Sequence, residues 1–203
     1  MGGEGFARVA ILGAGNGAHA FAAELGMKGR DVRLFTMFAA EIEEIWKRGG
    51  VEAEGVVQGF GRVSLATTDI SRAVKGAEMI LVVVPASAHR AMAEAVAAHL
   101  EDGQVVGIHP GRTGGALEFA GVLKKAGVKA KVKVAEAQTL LYTCRISGPA
   151  RVAVKGVKRE VRLAALPASD TAAVLDMLRP VFPQFKAARN VFETGLEIGR
   201  AHV

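Results

Sequence analysis

A single cysteine, Cys144, in a chain of 203 residues rules out an internal disulfide and any fold stapled by one. Aromatic residues make up only 5% of the chain, so stacked rings cannot dominate the core. Aliphatic side chains must fill it instead, and they supply most of the 50% apolar content. Long apolar runs are absent too. The longest, MILVVV at residues 79–84, is strand length and falls far short of the roughly 20 residues of a membrane helix. The first residues, MGGEGFAR, hold no charged head followed by an apolar stretch, so no secretory signal peptide is expected. His19, His89, His99 and His109 stand too far apart for ligand spacing, and no metal site is expected. No G-x-S-x-G elbow occurs, which sets Ser-His-Asp chemistry aside. These absences predict a cytoplasmic protein with no membrane partner.

What is present is basic. The formal net charge is +6 and the pI about 9.7. The lysines and arginines are scattered, with no aromatic-studded stripe, so no nucleic-acid partner is expected. A diffuse positive field instead suits an anionic cofactor and carboxylate substrates.

Strand and helix patterns alternate from the start. RVAILG at residues 8–13 reads as a buried parallel strand. Residues 16–28 read as a helix with Ala18, Phe21, Ala22 and Leu25 on one face and Gly29 at its end. DVRLFTM is a second strand, and FAAEIEEIWKR a helix with Ile42, Ile45 and Trp46 inward. Glycines 55, 59 and 61 then mark a hairpin leading to a third core strand at residues 63–67. Thr68 or Asp69 caps a short helix to Lys75. EMILVVVP, QVVGIH and AKVKVAE are strands four to six, separated by helices at residues 87–100, which Ser87 can cap, and 114–125. This grammar predicts an α/β, doubly wound parallel Rossmann sheet in the order 3-2-1-4-5-6. Beyond residue 151 it predicts additional C-terminal β-strands that extend the sheet, beginning with a hairpin around Gly156, then a helix at residues 169–178 and a short strand in QFKAAR.

The stretch ILGAGNGAHA, residues 11–20, places three glycines between the first strand and the first helix. Gly13, Gly15 and Ala18 fit G-x-G-x-x-G/A. The first glycine permits the turn, the second lets a pyrophosphate approach the main chain, and Ala18 lets helix and strand pack closely. Gly13, Ala14, Gly15, Asn16, Gly17 and Ala18 are therefore the expected phosphate turn, with the phosphates on free N–H groups at the positive end of the helix dipole. Cofactor choice is read at the end of the second strand, which falls on Thr36. Threonine can bond a ribose but does not repel a 2′-phosphate, and no arginine follows to grip one, so NAD and NADP both remain open. Val84, Pro85 and His89 follow the fourth strand and are expected near the nicotinamide. Arg112 and Thr113, in HPGRTGG after the fifth strand, are expected to hold a substrate carboxylate, Arg112 by two bonds. Thr139, Tyr142, Cys144 and Arg145, after the sixth strand, reach the same crevice, with Thr139 and Cys144 the expected substrate contacts there.

Taken together, GAGNGAHA, VRLFTMFAAE, VPASAH, PGRTGGALEF, EAQTLLYTCRI and FETGLE resemble the N-terminal half of the opine (octopine/nopaline) dehydrogenases. The resemblance covers essentially residues 8–197. It implies an NAD(P)H-dependent oxidoreductase that reduces the imine formed between an α-keto acid and an amino acid. It also implies that the catalytic histidine lies in a helical second domain just after the segment similar to FETGLE, so no catalytic residue is assigned in this chain. With that domain absent, Phe182, Phe185, Val191 and Phe192 are expected to be exposed, and a homodimer is one way to cover them. The last six residues, IGRAHV, are those encoded by one frame of a common sequencing adaptor, so residues 198–203 are expected to be a non-native tail. Other two-domain reductases, of ketopantoate or glycerol-3-phosphate type, share the glycine turn and the sheet. A nucleotide-sensing module without chemistry is the third reading.

Overall fold

A computed structural model describes residues 5–196; the proposed adaptor-like tail lies outside the described residues. The main sheet holds β1 (Arg8–Leu12), β2 (Asp31–Phe35), β5 (Leu65–Thr67), β6 (Met79–Val82), β7 (Val105–Ile108), β8 (Lys133–Ala137), β11 (Val161–Leu166) and β12 (Phe185–Ala187). Its order is β12-β11-β8-β7-β6-β1-β2-β5. The six strands from β5 to β8 are all parallel and run in the expected 3-2-1-4-5-6 order. β11 adds antiparallel to β8, and β12 parallel to β11.

Alternation along β1 splits the core. Val9 and Ile11 join one apolar cluster and Ala10 and Leu12 the other, because successive side chains of a strand face opposite sides. The second cluster is closed by α3 (Ile70–Val74), α4 (His89–Val96), α5 (Gly115–Lys125) and α7 (Val191–Leu196). The first is closed by α1 (Asn16–Met27), α6 (Thr171–Leu178) and a second, smaller sheet. That sheet runs β4-β3-β10-β9, from β3 (Gly50–Gly55), β4 (Gly59–Arg62), β9 (Tyr142–Gly148) and β10 (Arg151–Val157).

The small sheet corrects the reading of residues 151–166. β10 pairs antiparallel with β9 and parallel with β3, and only β11 enters the main sheet. The hairpin turn falls at Pro149 and Ala150, the latter at φ 52, and Gly156 sits inside β10 at a register shift. The expected hairpin at residues 55–61 does form, as β3 and β4, but it too belongs to the small sheet.

Two further expectations fail. Ile42 and Ile45 are buried, but Trp46 is 71% exposed, because α2 (Glu43–Arg48) is too short to bury more than one stripe. Phe182 and Phe185 are buried in the cluster that α6 joins and Val191 in the other, and of the four predicted exposed residues only Phe192 is exposed. Asp69, not Thr68, caps α3, accepting from the N–H groups of Ser71 and Arg72. No helix among the described residues is long and apolar enough to cross a membrane, and none of their His, Cys, Asp and Glu side chains cluster as a metal site.

Candidate functional site

The C-terminal ends of β2, β1, β6, β7 and β8 line up along one rim, and the predicted site residues lie on the loops that leave them or on the elements those loops lead into. At the first, Gly13 has φ +120, and a Cβ there would overlap the Val83 carbonyl oxygen. Its N–H donates to the Phe35 carbonyl at 2.8 Å, which fixes where the turn leaves the strand. Gly15 differs. Its φ of −77° suits any residue, and a Cβ would meet no protein atom within 4 Å. Neither strain nor packing explains that glycine; open space in front of the helix does. Gly17 is a packing glycine, since a Cβ would lie 2.9 Å from Leu140 Cδ1 and 3.0 Å from Val83 Cγ1. Ala14 and Ala18 are buried.

Behind this turn, α1 begins without a side-chain cap and without an acidic residue in its first turn. The N–H groups of Asn16, Gly17 and Ala18 have no protein acceptor among the described residues. Uncapped donors and an uncompensated dipole suit an anion. The rest of the turn is pinned. Asn16 Oδ1 accepts from the Ile146 N–H at 2.7 Å, and its carbonyl accepts from the Cys144 thiol at 3.3 Å. The His19 Nδ1 lies 3.1 Å from the Gly15 carbonyl, so this nitrogen carries the proton. Burial lowers the His19 pKa despite that bond, and the ring is neutral. His19 was not predicted as part of the site, although it stands within the quoted motif.

At the end of β2, Thr36 is buried and its hydroxyl is in use. It donates to Glu41 Oε2 at 2.5 Å and accepts from the Phe38 N–H at 3.3 Å. Glu41 was missed because it lies beyond the strand end, on a short 3-10 turn at Ala39–Glu41.

After β6, Val84 packs beside Gly13, with its Cγ1 2.9 Å from where a Cβ would sit, and Pro85 is exposed. Ser87 does not cap α4, which begins at His89 with no side-chain cap. His89 is buried against Gly115, its pKa lowered by desolvation, and its Nε2 has no partner among the described residues. Its ring packs against the start of α5 and also bonds the Val84 main chain in the loop after β6.

After β7, Arg112 is exposed at φ 53, and its guanidinium makes no ion pair among the described residues. Thr113 is exposed beside it. The loop is tied from below by Glu136, fully buried at the end of β8. Glu136 Oε2 accepts from the Ala116 N–H and Oε1 from the Thr194 hydroxyl, both at 2.7 Å. Burial raises the Glu136 pKa. Sequence reasoning quoted this glutamate and the FETGLE segment without linking them. An acid within an otherwise apolar strand was the available signal.

After β8, Thr139 is half-buried and Leu140 covers Gly17. A cavity of about 370 Å³ opens here, lined by Asn16, Leu140, Tyr142, Thr143, Cys144, Arg145 and Lys155. The Cys144 thiol is pushed up to about 11 by burial, so it is a neutral wall and not a nucleophile. Cys144 thus lies at the glycine turn, while Arg112 and Thr113 stand two strands away with His89 and Glu136.

Residues 8–150 match the family model described as the NAD-dependent glycerol-3-phosphate dehydrogenase N-terminus. The chain is 42% identical over 188 residues to the opine dehydrogenase of Arthrobacter sp. (strain 1C), covering 92% of this chain and 52% of that protein. It is 27% identical over 201 residues to the octopine dehydrogenase of Pecten maximus, covering 92% and 50%. Among solved structures, octopine dehydrogenase with NADH and pyruvate superposes with a TM-score of 0.79 at 26% identity, over 92% of this chain and 51% of that one. A ketopantoate reductase from Ralstonia eutropha, at 22% identity and a TM-score of 0.66 over 91% and 57%, shares the fold. The chain spans about half the length of the curated relatives it matches. The chain belongs to the family of the NAD-dependent glycerol-3-phosphate dehydrogenase N-terminus, and it is similar to the N-terminal halves of opine dehydrogenases.

Proposed function

We propose that this chain is the dinucleotide-binding half of an NAD(P)H-dependent opine dehydrogenase, which reduces the imine formed between an α-keto acid and an amino acid. The observation that carries the reading is the open, uncapped start of α1 in front of Gly15. Gly15, Asn16, Gly17 and Ala18 would hold the pyrophosphate by main-chain N–H groups, and Val84 and Pro85 would border the nicotinamide. The bound cofactor supplies the hydride. The relatives support the same assignment, since octopine dehydrogenase is known with NADH and with pyruvate or L-arginine.

The chain's own residues would orient and anchor. Arg112, with no ion pair among the described residues and backed by the Glu136 tie, would grip a substrate carboxylate, with Thr113 beside it. Thr139 and the neutral Cys144 would border the same crevice from the β8 side. The acid that protonates the imine would come from the helical domain in the other half of the enzyme. A cytoplasmic setting, where nicotinamide cofactors are supplied and a lone thiol stays reduced, fits this reading.

Gly15→Val is the direct test. Its backbone accepts a side chain and nothing in the protein meets it, so the fold is expected to be unchanged by circular dichroism. NADH and NADPH affinity, measured by calorimetry, is expected to fall at least tenfold. Unchanged affinity in the folded variant would refute the site.

A further inference from the structure

We propose that Glu41 selects the unphosphorylated adenosine ribose, so that this chain takes NAD(H) in preference to NADP(H). The inference rests on the dinucleotide reading above and adds which of the two cofactors the site accepts. It starts from what Thr36 cannot do. Its hydroxyl already donates to Glu41 and accepts from Phe38, so it has no proton left for a ribose. What it does is hold a carboxylate at the rim.

The placement follows from the chain path. Leu12 and Phe35 are register partners across β1 and β2, and Gly13 bonds to the Phe35 carbonyl at 2.8 Å. The phosphate turn and Thr36 therefore leave neighbouring strands side by side. The 3-10 turn at Ala39–Glu41 then folds back over the end of β2. The Glu41 N–H donates to the Phe38 carbonyl at 3.0 Å, and buried Ile42 anchors the far side through its N–H to the Ala39 carbonyl at 3.1 Å. The carboxylate lies close enough to α1 for its charge to act on the His19 ring. It thus stands at the end of β2, next to the strand end from which the glycine turn leaves, on the side where a ribose attached to a pyrophosphate on α1 would lie.

One carboxylate oxygen is bound by Thr36. The other, Oε1, has no partner among the described residues, and the residue is exposed. An anchored carboxylate with a free oxygen accepts ribose hydroxyls well, and it repels a phosphate carrying up to two negative charges. Two cations of the flanking elements are engaged elsewhere. Arg33 of β2 donates to the carbonyls of Arg72 at 3.0 Å and Lys75 at 2.8 Å. Lys47 is paired with Glu43 and Glu44. The acid that the second strand lacks at its end is thus delivered five residues later and held by the threonine that stands in its place.

The test is the NADPH-to-NADH ratio of dissociation constants, measured by calorimetry on the full chain and on Glu41→Gln. Glu41 is exposed, and the amide keeps an acceptor for Thr36, so the variant is expected to fold. The unmodified chain is expected to bind NADH at least tenfold more tightly than NADPH. Glu41→Gln is expected to shrink that ratio threefold or more, mainly by tightening NADPH. Thr36→Val, which frees the carboxylate to swing away, is expected to shrink it less. A starting preference below tenfold, or a ratio in Glu41→Gln within threefold of the original, overturns the proposal. If neither nucleotide binds the unmodified chain, the dinucleotide reading itself fails and takes this inference with it.

Discussion

His109 shows how much one side chain can set the acid limit of this protein. Its ring is fully buried, with edge contacts to Phe21 and Phe185 at centroid distances of 5.4 Å. Neither ring nitrogen has a partner among the described residues. Burial pushes its pKa down to about 3, against an ordinary value of 6.5. Between those values the unfolded chain binds one proton more than the folded one, so stability rises with pH across that window. The contribution is complete above about pH 6.5 and fades toward pH 3, at up to about 1.4 kcal/mol per pH unit. His19 and His89, also lowered by burial, act in the same direction. Glu136, raised by burial, acts oppositely, but it is the same in any His109 variant and cancels in a comparison. His109→Leu, similar in volume and without the orphan nitrogens, is therefore expected to lose less stability between pH 7 and pH 5. Urea midpoints at the two pH values check this; parallel losses in both proteins would count against it. The same scale explains a gap in the sequence reading. A histidine before PGRTGG received no role, because only packing reveals that it is a core residue with two idle nitrogens.

At the scale of elements, legibility followed the range of the cause. Strands β1, β2 and β5 to β8 were readable because each is a run of apolar residues with a local boundary, and their order follows from the parallel grammar. The glycine turn was readable because its physics is local as well. β9 was not, since half its side chains face solvent and its alternation is weak, with only Tyr142 fully buried. The destination of β10 was invisible, because a strand's pattern does not say which of two sheets takes it. The Glu136 tie was invisible for the same reason: it joins β8, α5 and α7 across 20 and 58 residues. That tie yields a test. Thr194 is buried and donates its one hydroxyl proton to Glu136 Oε1 at 2.7 Å, with the Val191 carbonyl a longer 3.1 Å away. Thr194→Val keeps the shape and leaves the glutamate oxygen buried without its donor, at a cost of about 1–3 kcal/mol. Denaturant unfolding should show that loss. A change under about 0.5 kcal/mol, the scale of a neutral surface substitution, would mean that the bond does not hold α7 in place.

Across the whole molecule, α1 is the shared element. Its twelve residues, Asn16–Met27, are buried almost all round, as only a helix held between two layers can be. One side lies on β1 and β2; the other is covered by the small sheet, which also supplies the Tyr142 hydroxyl bond to Glu24 at 2.8 Å. The fit is close because it is made of backbone. A Cβ on Gly61 of β4 would overlap the main chain of Ala23, and one on Gly26 would lie within 2.5 Å of the Arg62 nitrogen. The glycine turn at the start of α1 is thus fixed by both sheets, through Phe35 on one side and Ile146 and Cys144 on the other. This makes the small sheet part of the proposed cofactor platform and predicts that the two sheets unfold together. Gly61→Ala should force α1 and β4 apart, costing about 1–3 kcal/mol as overpacking does. Because α1 carries the load to both layers, hydrogen exchange in the variant should accelerate by similar factors at Val152 and Val154 of β10 and at Val9 and Ile11 of β1. Faster exchange confined to β3, β4, β9 and β10 would show instead that the small sheet opens as its own unit and that the phosphate turn depends on the main sheet alone.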